Sequence, residues 1–134
     1  MKRYGKLALW GGVLAWMGLI FFLSAESDPG ALSRFDFEGA DKIAHIILYA
    51  VLGVLLWRAS RFAGGKLLGA QPALWTFIMG TVYGMSDEWH QKYVSRRTAD
   101  VMDLGADCMG IACGIMAAVL YQRAKARALK GENR

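Results

Sequence analysis

Apolar residues fall into four long runs: Leu7 to Leu23, Ile43 to Trp57, Ala73 to Met85 and Val101 to Tyr121. A helix crossing a bilayer needs roughly 20 apolar residues, with about 17 as the lower edge. The first and fourth runs reach that length. The second reaches it if Lys42 and Arg58 lay their stems along the apolar face and keep their charges in the interface. The third is short; Pro72 suits its first helical turn, and the polar residues past Met85 would continue the helix out of the membrane. The pattern predicts an all-α membrane protein, a bundle of four transmembrane helices over about 5–24, 42–59, 72–92 and 100–122. One domain is expected over residues 1–134. Fewer than four spans is the alternative.

Composition agrees. Hydrophobic residues make up 55% of the chain, charged residues only 20%, and the mean hydropathy is +0.27. A water-soluble domain of this size rarely carries so much apolar surface on so few charges. Sixteen Lys and Arg against 11 Asp and Glu leave a net charge of +5. This excess does not predict nucleic-acid binding, because the bases sit between apolar runs instead of lining one surface. Cys108 and Cys113 do not have metal-site or CxxC spacing and are expected to be small buried residues. Lys2, Arg3 and Lys6 precede the first run as they would in a signal peptide. That run is longer than a usual signal core, however, and Leu23-Ser24-Ala25 is a poor cleavage site, so an uncleaved anchor is expected.

Loop charge predicts the orientation. The N-terminus, the second loop (Arg58, Arg61, Lys66) and the tail (Arg123, Lys125, Arg127, Lys130, Arg134) are basic. The first loop carries Glu26, Asp28, Asp36, Glu38 and Asp41 against Arg34 and Lys42. The positive-inside rule then puts both termini in the cytoplasm of an inner-membrane protein, with loops one and three outside. The tail would also attract anionic lipid.

On that reading the outward side gathers the chemistry. Asp41, His45 and Tyr49 share one face of the second helix. Asp87, Glu88 and Gln91 end the third, above Gly80 and Gly84, where a neighbouring helix can approach closely. Asp100, Asp103 and Asp107 begin the fourth, with Arg96 and Arg97 nearby. An acid inside a span costs roughly 2.5–3.5 kcal/mol at mid-helix, so it should face the bundle with a partner. Arg97 and His45 are the expected partners of Asp107. Ala106, Gly110, Gly114 and Ala118 repeat every fourth position, a stripe expected to serve packing alone. Trp10, Trp57, Tyr83 and Tyr121 are expected to anchor the helix ends at the interfaces, and His90 to face solvent.

These residues resemble the VanZ-like family of small multi-pass bacterial membrane proteins. The resemblance begins at Phe22-Leu23-Ser24 and continues through Asp41-Lys42-Ile43-Ala44-His45, Tyr49 and Gly53. It is strongest at Tyr83-Gly84-Met85-Ser86-Asp87-Glu88-Trp89-His90-Gln91, then runs through Arg97, Asp103, Asp107 and Gly110. Ser95-Arg96 replace the Pro-Gly pair usual before the arginine, and Asp107 stands where the family often has Asn. The resemblance implies a multi-pass membrane protein with an envelope-related role. The family is named for a protein linked to low-level resistance to the glycopeptide teicoplanin.

Three functions fit. The first is a binder that positions a lipid-linked or cell-wall ligand at the outer face. Its site would comprise Asp41, Lys42, His45, Tyr49, Asp87, Glu88, Gln91, Arg97, Asp103 and Asp107, with Arg97 and Lys42 on an anionic group. The second is an interfacial enzyme on a phosphate or acyl group. His45 would be its base, oriented by Asp41 or an aspartate of the fourth helix, but no nucleophile motif is present. The third is an oligomeric ion or proton relay. The expected partners are membrane lipids and such a ligand, with no nucleic acid. No cofactor is expected, although Asp87, Glu88, Asp103 and Asp107 would suit a divalent cation.

Overall fold

The computed structural model describes residues 3–25, 40–94 and 101–131. These form five helices: α1 (Arg3–Ser24), α2 (Ala40–Ala63), α3 (Gly65–Ala70), α4 (Pro72–Gln91) and α5 (Val101–Gly131). There is no strand among the described residues. Four helices coincide with the four apolar runs. The short α3 was not expected from the hydrophobic pattern. At its entry Gly65 takes φ +68°, a left-handed conformation that glycine adopts without steric cost. Pro72 stands in the first turn of α4, where its missing N–H has no intrahelical partner to lose.

Three helices are long and apolar enough to cross a membrane: Tyr4–Ser24, Asp41–Ala63 and Val101–Gly131. Helix α4 falls short because its last turns carry Ser86, Asp87, Glu88, His90 and Gln91. The expectation of four transmembrane helices is thus met for three on length and composition. At about 1.5 Å per residue, the 31 residues of α5 extend well beyond a hydrocarbon core of about 30 Å. The basic tail therefore continues the helix instead of starting a separate segment.

The bundle exposes large apolar side chains and buries ionisable ones beside an apolar core. Leu14, Phe22, Val82, Met116 and Leu120 are each more than half exposed, while Asp107 is 0% exposed. Such a distribution suits lipid, where exposed leucine costs nothing and a polar group needs a protein partner. Val13, Ile20, Leu52, Leu56 and Ile111 form the apolar core.

The tightest seam joins α2 to α5. A Cβ on Gly110 would lie 2.5 Å from the Ile46 carbonyl oxygen, and one on Gly53 2.8 Å from that of Ile111. A Cβ on Gly114 would collide with the Ala50 carbonyl oxygen. Ala106, Gly110, Gly114 and Ala118 are all buried, as a packing stripe should be. Gly80 faces Ile111 and Gly84 faces Asp107 and Leu104, so α4 also lies close on α5.

Several expectations are corrected. Trp57 is buried, and the Tyr83 hydroxyl donates to the Met17 carbonyl at 2.6 Å, so both make contacts inside the bundle that the anchor reading did not foresee. His90 is half-buried with its ring 4.3 Å from that of Phe21. Cys113 is exposed, not buried; both cysteines are free thiols, and a lipid-facing position suits an uncharged thiol.

Candidate functional site

Four helices contribute polar residues to one end of the bundle: the C-terminal end of α1, the start of α2, the end of α4 and the start of α5. The chain runs alternately up and down, so these ends meet although up to 63 residues separate contacting groups. On α2 the i, i+4 spacing puts His45 and Tyr49 on one inward face, with ring centroids 6.3 Å apart and planes within 9°. On α4 the buried positions Thr76, Gly80, Gly84, Asp87, Glu88 and Gln91 follow the same helical stripe. On α5, Asp103 and Asp107 lead the stripe that continues into Gly110 and Gly114.

The pairings are specific. His45 Nδ1 lies 2.8 Å from Asp107 Oδ1, both side chains being buried. The expected partnership of Asp107 with His45 is met; Arg97, the other expected partner, lies outside the described residues, as do Arg96 and Asp100. Lys42 Nζ donates to Asp103 Oδ1 at 3.1 Å and to Asp41 Oδ2 at 3.4 Å. Asp41 is exposed and pairs with Lys42, so the carboxylate that meets the His45 ring is Asp107 and not Asp41. Asp87 Oδ2 accepts from Ser24 Oγ at 2.7 Å and from Gln91 Nε2 at 3.4 Å.

Ser24 is the residue that site reasoning missed. It is buried and ties α1 to α4. Its signal was its place as a hydroxyl closing an apolar run, within the Phe22-Leu23-Ser24 match. The acids expected to form one carboxylate set are divided among different tasks. Asp87 is engaged by Ser24 and Gln91, and Asp103 by Lys42. One ligand atom from each of His45, Glu88 and Asp107 lies within 4.8 Å of the other two. Among the described residues, Tyr49 Oη, Asp87 Oδ1 and Asp107 Oδ2 are buried without a hydrogen-bond partner.

Between α1 and α2, a cavity of about 60 Å³ reaches His45 and Tyr49, lined also by Ile20, Ser24 and Asp41. That is several-fold below the roughly 300 Å³ at which ligand pockets begin, so it admits water or an ion and not an organic headgroup. A larger apolar groove of about 400 Å³ runs between α1 and α4 past Trp10, Leu14, Met17, Ile78 and Val82, with Tyr83 and Ser86 toward its polar end.

A helical bundle with lipid-compatible sides and a buried ionisable cluster at one end is a membrane protein. The profile of the VanZ/LLP1 family matches residues 9–122, and the chain belongs to that family. No curated protein and no solved structure matches it.

Proposed function

We propose that this chain is a multi-pass protein of the bacterial inner membrane, with α1, α2, α4 and α5 as four spans and both termini cytoplasmic. In this reading it holds the headgroup of a lipid-linked or cell-wall ligand at the outer face. The observation that carries it is the apolar α1–α4 groove, whose upper lining reaches Ser86, next to the Ser24–Asp87–Gln91 network. A hydrocarbon chain in the groove would bring its headgroup to the polar end. The small cavity supports contact at the mouth of the cluster and not enclosure of the headgroup. Lys42, with Arg97 from the third loop, would face an anionic group. The basic residues Arg58, Arg61 and Lys66 at the opposite end support the orientation.

The test compares lipid-linked envelope precursors and teicoplanin susceptibility in a deletion strain complemented with the wild type or with His45→Ala. The expected result is an altered precursor pool that the wild type restores and the variant does not. A deletion strain indistinguishable from its parent rejects the envelope role. Cysteines placed near Phe35 and Trp89 should both be labelled from outside intact cells; opposite sides reject the topology.

A second reading rests on the 2.8 Å His45–Asp107 contact. A carboxylate on Nδ1 fixes the ring and leaves Nε2 for proton transfer, as a general base requires. Turnover of a phosphate or acyl substrate, abolished by His45→Ala in a folded protein, would favour this enzyme over the binder.

A further inference from the structure

We infer that His45, Glu88 and Asp107 bind one divalent transition-metal ion, of the Zn²⁺ or Mn²⁺ kind, at the junction of α2, α4 and α5. The inference deepens the site proposed above, since an ion would give an acid-rich pocket the means to hold an anionic headgroup. The metal-binding claim itself stands on the geometry.

The three donor atoms lie within 4.8 Å of one another, and all three residues are buried. His45 Nδ1 and Asp107 Oδ1 are 2.8 Å apart. Two ligands bonded to one ion at about 2.0–2.2 Å stand about 3 Å apart, so this pair needs little movement to share an ion instead of a proton. The second observation is Asp107 Oδ2: the residue is 0% exposed, and this oxygen has no hydrogen-bond partner among the described residues. A buried carboxylate oxygen with nothing to accept is costly, and metal coordination is one of the few ways to satisfy it.

The donor set selects the class of ion. Imidazole with carboxylates suits Zn²⁺ and Mn²⁺, whereas Mg²⁺ and Ca²⁺ favour oxygen-only shells. Three protein ligands leave a coordination position for water or a ligand oxygen, as in catalytic and not structural sites. Gly84 leaves room for this arrangement: a Cβ there would lie 3.0 Å from Asp107 Oδ2. The neighbouring ionisable groups have other duties, Lys42 with Asp103 and Asp41, and Asp87 with Ser24 and Gln91.

The full chain would be purified in detergent without a histidine tag, stripped with chelator, and titrated with Zn²⁺ and with Mn²⁺ by calorimetry. Bound metal would be counted by elemental analysis. About one ion per chain is expected for the wild type and for the exposed-thiol variant Cys113→Ser. Glu88→Gln, Asp107→Asn and His45→Gln should each weaken binding by at least about 10-fold. Only variants that keep the wild-type gel-filtration profile and helical circular dichroism are scored. Absence of saturable binding to the folded wild type overturns the inference without any variant, and so does undiminished binding in a folded Glu88→Gln or Asp107→Asn chain. A folded wild type that binds no ion, in a protein whose deletion does alter the precursor pool, refutes this inference alone. A bound ion with no precursor phenotype refutes the envelope reading alone.

Discussion

Two regions of the same helix pair, α2 and α5, are held together by opposite means. At the polar end, His45 meets Asp107 and Lys42 meets Asp103, long side chains bridging the gap between helices. Within one to two turns further in, the gap closes: Gly53, Gly110 and Gly114 bring backbone against backbone, with no space for a methyl group. The difference teaches how a small membrane bundle can carry buried charge. Lipid competes with apolar side chains for apolar surface, so close backbone packing supplies attraction that hydrophobicity does not. The same lipid offers ionisable groups no partner, so they must be satisfied inside the protein.

The strongest way to break this comparison is to unpair the polar end. With chelator present, His45→Leu should cost about 3–5 kcal/mol, because Asp107 keeps a buried carboxylate with its partner removed. The double variant His45→Leu, Asp107→Leu should recover most of the loss, since two apolar groups need no pairing. Reversible unfolding in mixed micelles measures both; a double variant no better than the single one would mean the pair is not the unit.

The seam is broken by adding one carbon. Gly114→Ala places a Cβ against the Ala50 carbonyl oxygen and should cost about 1–3 kcal/mol as the helices separate. Gly105→Ala on the same helix meets nothing within 4 Å. It should be neutral or stabilising by up to about 1 kcal/mol, because alanine loses less backbone freedom than glycine. Equal losses at both positions would show that helix propensity, not contact, dominates.

The smallest effect sharpens the boundary between the regions. Ser24→Ala removes the hydroxyl donating to Asp87 at 2.7 Å, the polar tie between α1 and α4. Hydrogen bonds between membrane helices contribute about 0.6 kcal/mol on average, so a loss near 1 kcal/mol or below is expected. A loss above about 3 kcal/mol would make Ser24 part of the charge network and not an accessory to it.

The four long helices were legible in the apolar runs alone, because an apolar segment in lipid must satisfy its own backbone hydrogen bonds. The meeting of the ionisable residues at one end followed as well, since alternating helices bring the ends Ser24, Asp41, Gln91 and Asp103 to one side. The Asp107–His45 partnership was legible in the same way, as an acid one turn inside a span has few partners within reach. The division of labour among the carboxylates emerged only from the packed helices. Asp87, Glu88, Asp103 and Asp107 are chemically alike in a string of letters, and helix rotation of a few tens of degrees determines which faces Lys42, which Ser24 and which His45. Helix α3, the inward turn of Trp57 and Tyr83, and the role of Ser24 were hidden for the same reason. Spacing along a helix states which residues share a face, but the neighbour that face meets depends on how closely the glycine seam lets the helices approach.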